Sequence, residues 1–362
     1  MADETKEKGR ETYALNAAVV DACMAAVEVG ASDRLGALLS DLHAADIADL
    51  LEQVGGEKRR ALLSVWGTEL DGDVLAELEE RVRDDVLDIL RPEQLAAAVQ
   101  EMETDDVLYL VEDLEAPQQA EVLAALDEPD RAAVARALSY PEYSAGRLMQ
   151  TELVTVPEHW TVGDAIDHMR ASDDLPDEFY HVIMVDPRFH PVAKIGLGRI
   201  MSHPRATPLA DLKDDDFRPI PATQSQEDVA YAFNQYHLIT APVTDADGRL
   251  VGVITMDDAM AVLEDEAEED IKRLAGLGDE ELEDTVWATT RARFPWLAVN
   301  LATAVLASLV IDQFSDVITA LVALAVLMPI VASMGGNGGT QTLTVAVRAL
   351  ATRDLTASNA LR

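Results

Sequence analysis

The chain has 362 residues, is 49% hydrophobic but only 5% aromatic, and carries a formal net charge of −39. Its length predicts more than one domain. Its charge excludes nucleic acid and anionic lipid head groups as docking partners and suits a protein that gathers cations. The one cysteine, Cys23, permits no internal disulfide and points to a reducing cytosol.

The opening "MADETKEKGRETY" is polar and lacks the apolar run of a signal peptide. Residues 1–30 are predicted to form a polar leader and a first helix. Residues 31–140 then read as one short helix after another. "DLHAADIADLLEQV", "EMETDDVLYLVEDL" and "DEPDRAAVARAL" share an acidic opening followed by apolar residues at i, i+3 and i+4. Asp46, Asp105 and Asp130 sit near these predicted starts, where a carboxylate caps free amides, so they read as caps rather than metal ligands. The repetition predicts a small all-α superhelical stack.

Pro141 and Gly146, in "SYPEYSAGRLM", mark a boundary, and beyond it one pattern occurs twice. "LVTVPEHWTVGDAIDHM" (Leu153–Met169) aligns with "FRPIPATQSQEDVAYAF" (Phe217–Phe233). "HVIMVDPRFHPVAKIGLGRIM" (His181–Met201) aligns with "TAPVTDADGRLVGVITMDDAM" (Thr240–Met260). Each copy reads strand, helix, strand, turn, strand, helix, with Asp247-Gly248 as a hairpin turn signal. This gives two α/β modules, at residues 145–204 and 205–264.

From Asp257 to Asp284 the chain holds 13 acidic residues and two basic ones, Lys272 and Arg273. Met260, Leu263, Ala267, Ile271 and Leu274 keep to one stripe, so the segment is predicted to be an amphipathic helix with a carboxylate face. That face suits plain solvation as well as cation binding. The linking helix is placed at residues 265–290.

Residues 291–362 are net positive, with five Arg and three Asp. "FPWLAVNLATAVLASLVI" (Phe294–Ile311) has no charge, and neither does Val317–Val347. A bilayer core of about 30 Å needs about 20 helical residues. We therefore predict an α-helical transmembrane hairpin with spans at about 295–312 and 317–340. Pro295 is expected in a first helical turn and Trp296 at the head-group level. Arg291, Arg293, Arg348 and Arg353 flank the spans and place both ends in the cytosol. Within the second span, Gly335, Gly336, Gly338 and Gly339 are expected to loosen the helix. Asn337 and Gln341, with Thr340 and Thr344, would lie on one polar face. A pore lining and a glycine-mediated packing seam both suit that pattern.

"MPIVASMGGNGGTQTLTVAVRALATRDL" resembles the second membrane helix of the MgtE-type magnesium channels, through Gly335, Gly336, Asn337, Gly339, Gln341, Arg348, Ala349 and Leu350. The upstream order of elements resembles that family too. The resemblance implies a multidomain membrane protein: a helical N domain, a tandem CBS pair, a long connecting helix and membrane helices. It also implies a homodimer joined through its CBS and membrane regions in the cytoplasmic membrane. The given sequence carries two of the five membrane helices so implied. Pore residues would be Gly335, Gly336, Asn337, Thr340 and Gln341. Sensor ligands for Mg²⁺ would be Glu227, Asp258, Glu266, Glu269 and Asp270. His237 and Ala261 stand where the family often has Asp. CBS modules imply an adenine nucleotide such as ATP, for which Thr255 and Asp258 match the ribose-binding pattern. The first copy has Gly196 and Arg199 there.

The function implied is magnesium transport by a channel gated by cytosolic magnesium. A membrane-tethered magnesium or nucleotide sensor that conducts nothing shares the same soluble chemistry. No nucleophile with its base, phosphate loop or zinc-spaced cluster is legible, so no enzyme is predicted.

Overall fold

A computed structural model describes residues 15–66, 70–100, 102–112, 114, 116–172, 175–176, 178–213, 217–275 and 286–351. The chain forms two units, Met1–Met260 and Ala261–Arg362.

The first unit begins with short helices, as the acidic-then-apolar pattern predicts. They are α1 (Ala17–Glu28), α2 (Ser32–Leu39), α3 (Ala44–Gln53), α4 (Gly56–Trp66) and α5 (Gly72–Ala76). After these come α6 (Glu80–Ile89), α7 (Pro92–Val99), α8 (Thr104–Glu112), α9 (Ala116–Ala125) and α10 (Glu128–Ala137). One apolar core runs through them, from Cys23 and Leu35 to Val122 and Val134. Arg59 is buried in this stack. Its Nε donates to the Leu51 carbonyl at 2.9 Å and its Nη1 pairs with Asp85 at 2.7 Å, which ties α3, α4 and α6 together. The predicted caps are corrected here. Asp46 and Asp130 lie in the first turns of α3 and α10, while His43 and Asp127 hold the cap positions. Asp105 accepts its neighbour's amide, Asp106 N, at 3.0 Å. Its burial comes from tertiary packing rather than from capping.

After the short α11 (Ala145–Leu148), the sequence repeat becomes a repeat of strand pairing. The first sheet has order β1 (Val154–Pro157), β2 (His181–Val185), β3 (Pro191–Gly196). The second has order β4 (Ile220–Pro221), β5 (Thr240–Thr244), β6 (Leu250–Thr255). In each, the first pair is parallel and the second antiparallel. His181 pairs with Gly196 in one sheet, and Thr240 pairs with Thr255 at the matching place in the other. Each sheet also slips register at the same point, after Met184 and after Val243. Helices α12 (Val162–Ala171) and α13 (Leu197–Ser202) complete the first module, and α14 (Gln226–Tyr236) belongs to the second. Helix α12 opens on a reciprocal Thr161–Asp164 capping box, and Thr161's hydrogen bonds hold the Asp164 carboxyl below its ordinary range. Gly248 supplies the positive φ (+78°) of the predicted hairpin turn.

The modules share Ile183, Val185, Leu250 and Val253 as a small joint core. The chain entering the first module crosses onto the second, where Gln150 and Val253 exchange backbone hydrogen bonds at 2.9 and 3.0 Å. Gly252 makes this crossing possible, because a Cβ there would lie 2.6 Å from the Gln150 carbonyl oxygen.

Helix α15 runs Met256–Ala275, so the acidic helix starts before residue 265; residues 276–285 lie outside the described residues. The second unit then contains α16 (Val286–Asp312), α17 (Ser315–Ala320) and α18 (Ala323–Ala351). Three expectations are corrected. Pro295 sits inside α16, not in its first turn, because helix formation begins upstream at Val286. The span at 317–340 is not one helix: it breaks at Leu321-Val322 and resumes as α18. The glycine-rich run does not loosen α18, which stays helical throughout; the Thr340 and Thr342 hydroxyls donate to the Gly336 and Gly338 carbonyls at 3.1 and 2.8 Å. Among the described residues one helix, Arg293–Asp312, is long and apolar enough to cross a membrane, with mean hydropathy 1.9. Four glycines, Asn337 and Gln341 interrupt the apolar run of α18.

The Gly252 contact yields a prediction. Gly252→Ala should destabilise the full chain in detergent by about 1–3 kcal/mol, the range for an overpacked site, and so lower its thermal unfolding midpoint. Gly198→Ala, where a Cβ meets nothing within 4 Å, should leave stability unchanged or raise it by up to about 1 kcal/mol, with the midpoint unchanged or higher.

Candidate functional site

Two helix starts meet within the first unit. The turn Met102–Glu103 leads into α8, whose first residues are Thr104, Asp105 and Asp106. Thr255 leads into α15, whose first turn holds Asp257 and Asp258. Both starts place carboxylates where helix amides favour negative charge. They also place those carboxylates against one another.

Glu152 links the start of α8 to the chain entering the first module. It accepts hydrogen bonds from the Thr104 amide at 3.3 Å, the Thr104 hydroxyl at 2.5 Å and the Thr151 amide at 2.9 Å. Gln150 Nε2 donates to Glu103 at 2.9 Å. Arg147 ties the same face by pairing with Glu112 and donating to the Leu138 carbonyl at 2.8 Å. The helical stack is thus fixed on the modules by polar contacts that leave Asp105 buried and Glu103, Asp106, Glu152 and Asp258 half-buried.

The electrostatic cost shows in their protonation. Burial, then Glu152 and Asp106, push Glu103 up to about 7. Burial, then Asp258, push Asp106 up to about 7. Asp105 is raised well above the carboxylate range, first by burial and next by Asp258. Burial raises Asp258 to about 6, although the Thr255 hydroxyl pulls it back. A buried like-charged group of this kind is met by protons or by a cation.

The predicted residues fall in different places. Thr255 and Asp258 do come together: the Thr255 hydroxyl and amide donate to the Asp258 carboxylate at 2.6 and 3.3 Å. This is a helix cap, and it turns Asp258 towards α8. Glu227 is exposed in the first turn of α14. Glu266 and Glu269 lie half-buried on α15, and nothing is described of the Asp270 side chain. His237 is exposed and ends α14 in a left-handed turn (φ 52°), and Ala261 is exposed. Arg199 donates to the Leu212 and Lys213 carbonyls at 3.3 and 3.0 Å. Gly335, Gly336, Asn337, Thr340 and Gln341 are all on exposed stretches of α18. Glu103, Asp105 and Asp106 were the residues sequence reasoning missed. The signal available was the density of carboxylates at one helix start, more than a cap requires.

Among the described residues no three His, Cys, Asp or Glu side chains are gathered closely enough to chelate a bare metal ion. Magnesium does not need such a cage. It keeps most of its water and is held by one or two carboxylates. Hard oxygen donors facing each other across α8 and α15 fit that ion.

Beside this cluster is a cleft of about 440 Å³. Phe179, Tyr180, Ile183 and Val253 supply apolar walls, and His181, Thr240 and Thr255 supply polar edges. His181 Nδ1 and Thr240 Oγ1 are 3.3 Å apart across the two modules. Asp257 lines the cleft together with Glu103 and Glu152.

Comparison with known proteins places these parts. Residues 42–143 match the model of the MgtE intracellular N domain, and residues 145–187 and 209–265 match that of the CBS domain. The magnesium transporter MgtE of Thermus thermophilus is 31% identical over 339 residues, covering 91% of this chain and 75% of the relative. MgtE of Enterococcus faecalis is 33% identical over 216 residues, 60% of this chain and 48% of the relative. The chain thus spans about half to three quarters of these relatives. A crystal structure of the cytosolic domain of the Mg²⁺ channel MgtE in complex with ATP matches with TM-score 0.61 and 27% identity, over 67% of this chain and 99% of that one.

A pH dependence arises from the raised carboxyls. They hold protons to higher pH when folded than when unfolded, so the folded state binds more protons across that window. The contribution of these groups to stability without magnesium should be full below about pH 4 and lost as pH climbs through about 6 to 7. Thermal unfolding in EDTA should show this slope, and Asp105→Asn with Asp106→Asn should flatten it. An equal slope in that variant would place its origin elsewhere.

Proposed function

The chain belongs to the MgtE family of magnesium transporters, and we propose that it provides the cytosolic regulatory body and first membrane hairpin of a magnesium channel gated by cytosolic magnesium. One observation carries the reading: Asp105 is buried and Glu103 and Asp106 are half-buried beside Asp258, an arrangement that raises all three above the normal carboxylate range. Two carboxylates about 5 Å apart repel by about 3 kcal/mol at an effective dielectric near 20. Several such pairs exceed the roughly 5.5 kcal/mol that swings a two-state equilibrium from 1:99 to 99:1. Hydrated magnesium between them cancels that repulsion, and the docked arrangement of helical stack and modules then dominates. When magnesium falls, repulsion favours separation.

Glu227, Glu266, Glu269 and Asp270 are proposed as further magnesium contacts in a homodimer, where two acidic helices would meet. The apolar helix Arg293–Asp312 and α18 are proposed as the hairpin, with Arg291, Arg293 and Arg348 on the cytosolic side. Asn337, Thr340 and Gln341 would line the ion path. With the Gly336 and Gly338 carbonyls already engaged by threonine, their side chains are the oxygen donors left to meet a hydrated ion. The cleft is proposed to take an adenine ligand, as the matched MgtE cytosolic domain does with ATP.

Limited proteolysis of the full chain tests the gate. Magnesium at millimolar concentration should protect the 102–152 region. Asp105→Asn with Asp258→Asn should relieve the repulsion, so that protection is already present at about tenfold less magnesium, whereas Glu266→Ala, Glu269→Ala and Asp270→Ala together should weaken the magnesium-dependent protection. Protection unchanged in either variant removes those residues from the switch. Proteoliposomes test conduction: magnesium influx that falls in Asn337→Ala supports a channel, and no influx in the unmodified chain leaves the non-conducting sensor.

A further inference from the structure

Helix α8 carries opposite electrostatics at its two ends. Its start holds Asp105 and Asp106, raised by burial and then by Asp258. Its last residue, Glu112, pairs with the Arg147 guanidinium. The ends lie about 12 Å apart at 1.5 Å per residue. Arg147 makes two more bonds: its Nη2 donates to the Leu138 carbonyl at 2.8 Å and its Nε to the Tyr140 carbonyl at 3.0 Å. Leu138 is the C-cap of α10, where carbonyls lack helical partners and a cation is favoured. The Arg147 side chain is only 15% exposed, so salt screens these contacts weakly. Its backbone, by contrast, is rooted in the second module. The Ala145 and Gly146 amides donate to the Gln224 and Ala222 carbonyls at 2.7 and 2.8 Å, and Ala145 and Met149 lie in that module's core. The Tyr140 ring packs on Gly146, where a Cβ would lie 2.4 Å from Tyr140 Cγ. One side chain held by the modules thus grips the last turns of both α8 and α10.

We propose that Arg147 is the pivot of the docked stack, a contact kept whether or not magnesium is bound. The proposal rests on the magnesium-gate reading above and locates its hinge. Attraction between Arg147 and Glu112 needs no divalent ion, whereas the start of α8 is repelled by Asp258 without one. Loss of magnesium then swings the start of α8 outward about its pinned end, and the stack does not come away as a whole. A stiff helix fixed at one end converts repulsion at the other into rotation. Arg147 is a positioning residue in this account: it sets the place to which the stack returns when the ion rebinds.

Spin-label distances in the full chain in detergent decide the matter. Native Cys23 is buried, so cysteines placed at exposed positions take the label selectively. One pair, Ala97→Cys with Glu178→Cys, joins the stack to the module rim near Glu103; the other, Ala116→Cys with Glu142→Cys, flanks the pivot in sequence. Withdrawing magnesium with EDTA should lengthen the first distance and leave the second unchanged. In Arg147→Ala, and to a smaller extent in Glu112→Gln, EDTA should lengthen both, and magnesium should restore both. Glu112→Gln removes only the ion pair and keeps the reading if Arg147→Ala does not fold. Both distances lengthening together without either substitution, or a second distance unmoved in both variants, overturns the pivot and leaves the magnesium gate standing. If neither distance responds to magnesium before any substitution at Arg147 or Glu112, the gate fails and the pivot falls with it.

Discussion

The organisation of the first unit turns on the burial of like charges where two helices start. A carboxylate in the first turn of a helix is normally a stabilising feature, because free amides and the helix dipole favour it. Here α8 and α15 both use that feature, and their starts face each other. What stabilises each helix alone becomes repulsion when they meet: burial first, with Asp258 adding to it, raises Asp105 and Asp106. The neutral contacts around them, Thr104 with Glu152 and Gln150 with Glu103, hold the geometry without removing the charge. Docking therefore depends on what solvent supplies, protons or hard cations.

This arrangement also explains why Thr255 and Asp258 bear two readings. As a sequence pattern the pair suits a ribose contact. As a structure it is a helix cap that points the Asp258 carboxylate at α8. Its neighbour Asp257 faces the cleft instead. One turn of α15 thus presents one carboxylate to the helical stack and one to the ligand cleft. Glu103 belongs to both sites, since it lines the cleft and is pressed by Asp258. A ligand in the cleft and a cation at the interface would therefore act on shared side chains, which is the physical condition for coupling between them.

Much of the fold was legible because it rests on local signals. The alignment of His181 with Thr240 in the repeat reappears as equivalent pairs in two sheets. Asp247-Gly248 became a turn with positive φ at glycine. The interface was not legible, since Asp105 and Asp258 are 153 positions apart in sequence and each looks locally like an ordinary helix-start residue. Burial across long sequence separation is a property of tertiary packing, and periodicity does not report it. The break at Leu321-Val322 was equally hidden, because both residues are apolar and neither is a helix breaker.

The glycine-rich stretch of α18 shows a different limit. Four glycines in five residues suggest an unwound segment, since each costs about 1 kcal/mol relative to Ala in a helix. Yet the same stretch carries threonines spaced to bond the carbonyl four residues back, at Thr340, Thr342 and Thr344. These side-chain bonds add acceptor satisfaction along the face where glycine leaves the backbone bare. A Cβ at Gly335, Gly336, Gly338 or Gly339 would meet nothing within 4 Å, so packing among the described residues does not require glycine there. What glycine supplies is open access to the backbone surface beside Asn337 and Gln341. Bare helix flanked by amide side chains leaves room for a large hydrated ion or for a second helix at close approach. Both uses need the stretch to stay helical, as it does, so helicity alone does not choose between them.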